Sequence, residues 1–256
     1  MERLALHGRE IEFERIPGRR ANAPALVFLH EGLGSARLWK AFPSKVAELT
    51  GCEAVTYSRY GNGFSSVLTQ PRDPSYMHEE ALQTLPGFLE ALGIRDFLLV
   101  GHSDGASIAL IYAGEHPGSA RAVVVEAPHL FVEPISVESI AAIRARYETT
   151  DLRERMSRHH ADAERTFYGW NDVWLSPAFA AWNIEEYAAR VSVPVLAVQG
   201  AADEYGTLAQ LEALAARARG PVDRLVLAGC RHAPHVDRAE FVAAVCASWI
   251  DRTIDR

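Results

Sequence analysis

Short apolar runs alternate with amphipathic stretches along most of the chain. The runs are rich in β-branched residues and almost continuously apolar, which is typical of strands buried on both faces of a parallel sheet. They cover residues 25–30, 53–58, 97–101, 122–125, 193–198 and 224–227. The pattern predicts an α/β protein in which helices flank a mostly parallel sheet.

Apolar positions in the intervening stretches recur at helical spacing. Helices are predicted on this basis over residues 39–49, 77–92, 106–116, 208–219 and 238–250. The start of the chain fits an antiparallel lead-in instead, with strands at 3–7 and 11–15 and a hinge at Gly8.

The alternation is interrupted once, between about residues 129 and 190. That segment contains no apolar strand run, is helical in character, and is rich in Arg, Glu, His and Trp. Because it falls between two predicted strands, we expect a helical cap over one end of the sheet. The predicted organisation is a core of residues 1–128 and 191–256 with a cap of residues 129–190.

Composition narrows the class of protein. A chain of 256 residues with 48% hydrophobic and 23% charged residues is typical of a soluble globular protein and can form one α/β domain.

The net charge is −7 and no basic run is present, so nucleic-acid binding is not expected. No signal-peptide run or stretch of membrane-spanning length occurs, which favours a cytoplasmic protein without membrane contact. Three cysteines without a CxxC pair favour free thiols.

Ser103 is the predicted nucleophile. It lies at the centre of Gly-His-Ser-Asp-Gly, after the apolar run 97–101 and before the predicted helix 106–116. Small flanking residues let strand and helix approach closely around a strained turn, which raises the Ser hydroxyl above the sheet edge. A second glycine-bearing loop, His-Glu-Gly-Leu-Gly at residues 30–34, follows another strand. It can present a backbone N–H to an oxyanion together with the N–H of Asp104.

A nucleophilic serine needs a base, which should follow it along the chain. His232 comes just after the strand run 224–227, where an imidazole on a short loop can reach back to Ser103. His235 is the rival, although we expect it to support the following helix.

The acid that orients the base should lie on the loop after the preceding strand. Asp203 occupies this position after the run 193–198, and Glu204 is the fallback. Glu126, at the end of the run 122–125, is the alternative.

Together these motifs resemble the α/β-hydrolase superfamily, in its branch of small capped carboxylesterase-like enzymes. The matching segments span residues about 25 to 250: residues 30–34, Ser-Arg-Tyr-Gly-Asn-Gly-Phe-Ser at 58–65, residues 101–105, residues 200–203, and His232 with Pro-His-Val-Asp-Arg-Ala-Glu-Phe at 234–241. The resemblance implies an eight-stranded sheet with an antiparallel second strand, and a catalytic triad of Ser103, His232 and Asp203.

The chain departs from these relatives near the presumed oxyanion hole. Glu31 replaces the glycine usual after the first-loop histidine, so the register implies that Gly32 supplies the oxyanion N–H. Asp104 is uncommon directly after the nucleophile, and Ser58 stands where an aspartate is common. We expect an acidic entrance that disfavours anionic substrates through like-charge repulsion.

The substrate pocket is expected to include Glu31, His129, Trp170 and Trp174. Glu31 places a carboxylate near the site, and His129 comes just after a strand end. The tryptophans belong to the cap, whose aromatic residues can pack the helices and line an apolar site. His159, His160 and Asp162 are a poor metal site, since neighbouring positions on a helix point about 100° apart. No metal or cofactor is therefore expected.

The predicted function is hydrolysis of a carboxylic ester of a small apolar or aromatic substrate. The same triad also serves thioesters, lactones and carbon–carbon bonds, and the pocket rather than the fold separates these reactions. A non-catalytic small-molecule receptor on a hydrolase scaffold is the alternative of another class. A small-molecule substrate is the expected partner, and a homodimer is a further option.

Overall fold

An eight-stranded sheet lies at the centre of the computed structural model, which describes residues 1–255. The strands follow the order β1-β2-β4-β3-β5-β6-β7-β8. The second strand is antiparallel to both of its neighbours, and every other pair is parallel. The strands are β1 Glu2–Leu6, β2 Arg9–Ile16, β3 Ala25–Leu29, β4 Ala54–Tyr57, β5 Phe97–His102, β6 Val123–Glu126, β7 Val195–Gly200 and β8 Val222–Leu227. The predicted fold class is confirmed.

Strands β3 to β7 are buried at every residue, which explains their continuous apolar sequences. Successive side chains point to opposite faces of the sheet. In β3, Leu26 and Phe28 join the core that contains α1 (Phe42–Thr50) and α11 (Ala239–Ile254), whereas Val27 and Leu29 join the core on the other face. The sheet therefore separates two apolar layers.

The helices between strands largely follow the sequence pattern. The helices that complete the core, other than α1 and α11, are α2 Tyr76–Glu79, α3 Leu85–Ala91, α4 Asp104–Glu115, α9 Ala209–Arg217 and α10 Pro234–Asp237. A π-helical turn, Glu80–Thr84, joins α2 to α3. The predicted helix 39–49 is divided, because Lys40 adopts a φ of 53° between the 3₁₀ turn Ala36–Trp39 and α1.

The segment predicted as a cap is helical. It contains α5 Pro134–Thr149, α6 Leu152–Ser157, α7 Ala163–Trp174 and α8 Glu185–Ala188. The first three pack together, with Tyr147 and Phe167 stacked at a centroid distance of 3.8 Å. The fourth instead packs against α4 and α9 of the core. The exact division between core and cap stays a prediction. No helix within residues 1–255 is long and apolar enough to cross a bilayer.

Candidate active site

Ser103 lies on a sharp turn between β5 and α4, with φ 53° and ψ −119°. This conformation is costly for a residue with a side chain and persists only where the surroundings impose it. Its flanking glycines allow the backbones to meet: a Cβ on Gly101 would overlap the Gly105 carbonyl, and one on Gly105 would overlap the Leu29 carbonyl. The predicted helix begins two residues earlier than expected because the turn at Ser103 leads directly into it.

Three of the predicted site residues come together from distant parts of the chain. His232 Nε2 lies 3.0 Å from Ser103 Oγ, and His232 Nδ1 lies 2.8 Å from Asp203 Oδ1. The carboxylate therefore fixes the imidazole with Nδ1 protonated and leaves Nε2 free to accept the proton of the serine hydroxyl. Ser103 follows β5, Asp203 lies on the loop after β7, and His232 lies on the loop after β8.

Asp203 is held as a carboxylate. Burial opposes its ionisation, but the hydrogen bond and charge of His232, together with the donated Tyr205 N–H at 2.8 Å, keep its pKa below the ordinary value. Gln199 Nε2 donates to the second carboxylate oxygen at 3.1 Å. The fallback acid, Glu204, instead accepts a hydrogen bond from the backbone N–H of His232 at 3.2 Å.

The two rival triad candidates are paired with each other. His235 Nδ1 lies 2.8 Å from Glu126 Oε2, and the same oxygen accepts the His235 backbone N–H at 3.1 Å. Both residues are buried, and although burial opposes ionisation, His235 and His102 keep the pKa of Glu126 below its ordinary value. Neither side chain of this second carboxylate–imidazole pair hydrogen-bonds to the Ser103 hydroxyl, although the backbone carbonyl of Glu126 accepts the Ser103 N–H at 2.9 Å.

The predicted oxyanion donors border one cavity together with Ser103. The amide of Asp104 is in the first turn of α4, where N–H groups have no helical acceptor. Among residues 1–255, neither this amide nor that of Gly32 donates to another protein group. Both backbone donors are therefore available to a ligand.

A buried arginine to which no sequence motif assigns a role joins the two halves of this donor pair. The Arg59 guanidinium donates to the carbonyl oxygens of His30 and, at 3.0 Å, Glu31, the two residues before Gly32. It also lies 4.0 Å from Asp104 Oδ2. Arg59 is only 2% exposed. It thus ties the loop after β3 to the start of α4.

An asparagine of the same segment completes this support. Asn62 Nδ2 donates to the carbonyl oxygens of Gly32 and Gly34, each at 3.0 Å. Its Oδ1 accepts from Arg72 at 2.7 Å. The only signal in the sequence was the glycine-containing motif at residues 58–65, which marked a loop but not its contacts.

Ser58, in the same motif, is tied to strand β2 through its hydroxyl. Its hydroxyl donates to Glu12 Oε1 at 2.7 Å and accepts the N–H of Ala36 at 3.0 Å. The Glu12 carboxylate also accepts the N–H of Phe64. Strand β2 therefore supplies a buried carboxylate beside Ser58.

Asp104 does not present its charge at the entrance. Its carboxylate is 1% exposed and accepts a hydrogen bond from the Tyr76 hydroxyl at 2.5 Å, which in turn accepts the Trp174 indole N–H at 3.0 Å. Burial raises the pKa of Asp104, although the charge of Arg59 opposes this. The Asp104 side chain therefore anchors the start of α4.

The Glu31 side chain, by contrast, is partly exposed. It is 32% exposed and lies 3.7 Å from His102 Nδ1. Burial opposes ionisation, but His102 and His30 hold the pKa of Glu31 well below its usual range. The His102 Nε2–H donates to the carbonyl of His232 at 2.8 Å. Glu31 is thus an anionic group beside the candidate oxyanion hole.

The cavity above Ser103 has a volume of about 210 Å³. The four predicted pocket residues Glu31, His129, Trp170 and Trp174 all line it. The remaining lining residues are Gly32, Leu33, Ser103, Asp104, Ile140, Ile143, Tyr205 and His232. Burial lowers the pKa of His129 to about 3, which makes this imidazole neutral at physiological pH. Among residues 1–255, no lysine or arginine lines the cavity.

The residues weighed as metal ligands have other contacts. His160 Nδ1 accepts the backbone N–H of Gly63 at 2.9 Å, and burial lowers the His160 pKa to about 4. Asp162 caps α7 by accepting the N–H of Arg165. Within residues 1–255, no group of three or more His, Cys, Asp or Glu side chains is arranged to hold a metal ion.

The sheet, the strained serine turn and the Ser–His–Asp contacts together define an α/β-hydrolase. Residues 26–245 match the sequence profile of the Alpha/beta hydrolase family, and the chain belongs to that family. The resemblance to the α/β-hydrolase superfamily inferred from the motifs is confirmed.

Individual relatives are distant. A proline iminopeptidase of Lactobacillus helveticus (strain DPC 4571) is 23% identical over 282 residues, covering 94% of each chain. The structure of proline iminopeptidase from Mycobacterium smegmatis superimposes with a TM-score of 0.79 at 17% identity, covering 98% of each chain. The enol-lactonase from Burkholderia xenovorans LB400 gives 0.77 at 19% identity, covering 97% of this chain and 99% of that one. These structural likenesses show the fold alone.

Proposed function

We propose that this chain is a serine hydrolase that cleaves a carboxylic ester of a small apolar or aromatic substrate through an acyl-enzyme on Ser103. The observation that carries the proposal is the continuous set of contacts from Asp203 through His232 to Ser103, which opens into a cavity with two free backbone donors. Geometry of this kind meets the requirements for nucleophilic acyl transfer.

In the first step, Ser103 Oγ attacks the substrate carbonyl carbon while His232 Nε2 takes the hydroxyl proton. The imidazolium that forms is stabilised by the Asp203 carboxylate. The carbonyl π electrons move onto oxygen, and the N–H groups of Gly32 and Asp104 stabilise the resulting oxyanion. Collapse of this intermediate expels the alcohol, which receives its proton from His232.

In the second step, water enters and attacks the acyl-enzyme. His232 Nε2 accepts a proton from that water, and a second tetrahedral intermediate forms at the same two backbone donors. Its collapse breaks the bond to Ser103, whose oxygen regains the proton from His232. The products are a carboxylic acid and the unmodified serine.

The proposed substrate class follows from the cavity walls. Ile140, Ile143, Trp170 and Trp174 supply apolar surface from the cap segment, and the volume of about 210 Å³ is small beside ordinary drug-sized pockets. A short acyl or aryl group fits this space better than a long chain. The ionised Glu31 favours neutral over anionic esters.

The test is hydrolysis of short p-nitrophenyl esters by the wild type and by Ser103→Ala. We expect turnover to be lost in the variant while its circular dichroism and unfolding midpoint stay close to those of the wild type. A fluorophosphonate probe should label Ser103 in the wild type. Failure of labelling together with absence of ester turnover would favour a non-catalytic receptor.

A second candidate is cleavage of the amide bond after an N-terminal proline. It is favoured by the similarity to a proline iminopeptidase, which extends over 94% of both chains. The same triad serves esters and amides, so proline p-nitroanilide belongs in the substrate panel. Thioesters, lactones and carbon–carbon ring-cleavage products complete it, and the highest kcat/KM identifies the class.

A further inference from the structure

The indole N–H of Trp170 is a buried donor without an acceptor in the candidate site. Trp170, on α7, is 8% exposed and lines the same cavity as Ser103. Its Nε1 has no hydrogen-bond partner among residues 1–255. Buried donors are nearly always paired, so an unpaired one that borders a cavity points to a ligand acceptor.

This donor lies directly against the oxyanion loop. A Cβ built on Gly32 would overlap the Trp170 indole, and Nε1 is the nearest atom to it. The N–H edge of the ring therefore occupies the space that a side chain at position 32 would fill. Trp170 Nε1 therefore packs against Gly32, and both residues line the cavity.

The other tryptophans of the cap segment differ from Trp170. Trp174 also lines the cavity, but its Nε1 donates to the Tyr76 hydroxyl at 3.0 Å. Trp182 also has a buried Nε1 without a partner in the described part of the chain, but Trp182 does not line the cavity. Trp170 combines an unused donor with a place beside Ser103.

We propose that the Trp170 Nε1–H is a third hydrogen-bond donor to the substrate's acyl oxygen, supplied by the cap segment. The inference rests on the proposed acyl-transfer function. As the bond from Ser103 Oγ to the carbonyl carbon forms, the π electrons move to oxygen, and the indole N–H joins Gly32 and Asp104 in stabilising that charge. The indole proton stays on nitrogen throughout, while His232 carries the transferred proton.

A donor aimed at developing charge acts mainly on the transition state. Trp170→Phe keeps an aromatic ring but removes the N–H. We expect kcat for a short p-nitrophenyl ester to fall by ~10–100-fold with KM changed by less than about twofold. This is less than the 10²–10³ typical for loss of one oxyanion donor, because Gly32 and Asp104 still donate. The matched control is Trp182→Phe, which loses an equally buried N–H away from the cavity. Its kcat should stay within about twofold of the wild type.

A trifluoromethyl ketone tests the same contact without turnover, because its adduct with Ser103 places an oxyanion in the hole. Its affinity should weaken in Trp170→Phe by about the same factor as kcat/KM. In wild-type protein labelled with ¹⁵N-tryptophan, the indole resonance with contacts to Gly32 should move downfield when the adduct forms. This measurement serves even if Trp170→Phe does not fold.

Several outcomes would overturn the proposal. They are an unchanged kcat in Trp170→Phe, a rise in KM alone, an equal loss in Trp182→Phe, and an indole resonance that does not respond to the adduct. Failure of the underlying function is distinguishable from all of these. It would appear as a wild-type protein without ester turnover and without fluorophosphonate labelling of Ser103.

Discussion

Arg59 offers the sharpest test of how the candidate oxyanion hole is held in place. Replacing it with Met keeps an unbranched, flexible side chain but removes the guanidinium. The carbonyl oxygens of His30 and Glu31 then lose their donor, and the carboxylate of Asp104 loses the cation 4.0 Å away. Breaking a buried charge pair by removing one partner typically costs about 3–5 kcal/mol. Arg59 is almost fully buried, so little of this is screened.

We therefore expect Arg59→Met to lower the free energy of unfolding by about 3–5 kcal/mol. Because the freed loop carries Gly32, we also expect kcat to fall on the order of 10²-fold, the usual effect of displacing a reacting geometry by about 1 Å. Arg59→Lys retains the charge but cannot bridge two carbonyls with a planar fork. It should be the milder variant in both respects, and it serves for kinetics if Arg59→Met does not fold.

Urea unfolding and p-nitrophenyl ester kinetics measure the two effects separately. The matched control is Arg121→Met, which removes an arginine paired with Asp96 on the protein surface. Exposed pairs contribute about 0–1 kcal/mol, so this control should unfold near the wild-type midpoint and keep its kcat. If Arg59→Met matches Arg121→Met in stability and turnover, the positioning role assigned to Arg59 is wrong.

Three further predictions concern the carboxylates around the site. Asp203→Asn should lower ester kcat by about 10⁴-fold, whereas Glu204→Gln should change it less than tenfold. Equal losses in the two variants would contradict the assignment of Asp203 as the triad acid. The pKa of Glu126 is lowered in the fold, so its stabilising contribution is present above its ordinary value near pH 4.5 and is lost as pH falls through its folded pKa. Urea unfolding between pH 7 and pH 3 should therefore show the deficit of Glu126→Gln shrinking towards low pH, and a constant deficit would contradict this sign. Glu31→Gln should raise kcat/KM for carboxylated relative to neutral esters of equal size by about tenfold, or ~1.4 kcal/mol; a wild-type preference for the carboxylated ester would refute the charge argument.

The parts of the site that sequence analysis could locate are those encoded by neighbouring residues. Ser103 could be predicted from the sequence because a buried strand, two small residues and the start of a helix all fall within a short segment. His232 and Asp203 followed from their order along the chain and their places after strands. For these three residues, the local residue pattern and the strand order indicate the same positions, so a single sequence is enough to predict them.

The residues that hold the site in place make contacts between segments distant in sequence. Such contacts cannot be predicted from the periodicity of apolar residues. Glu126 and His235 are 109 residues apart and were weighed only as rivals for the triad, although they are each other's partners. The Arg59 contacts likewise depend on the loop after β4 crossing the loop after β3. Nor could the pattern anticipate that Lys40 would divide the helix predicted over residues 39–49, because its backbone conformation is unusual for a lysine.

The acidity around the hole poses a problem that the structure also resolves. A carboxylate close to a developing oxyanion would oppose the reaction, and a dry site amplifies that effect. Asp104 is compensated, since Tyr76 donates to it and Arg59 lies 4.0 Å away. The same guanidinium holds the carbonyls before Gly32, so one buried cation both balances the charge and orients the donor loop. Glu31 has no arginine or tyrosine partner for its carboxylate among residues 1–255; its side chain is about a third exposed and lies 3.7 Å from His102 Nδ1. A carboxylated ester brings a full charge that Glu31 repels from the start of binding, whereas a neutral ester develops charge only in the transition state. Substrate charge should therefore separate Glu31→Gln from the wild type more clearly than turnover of a neutral ester.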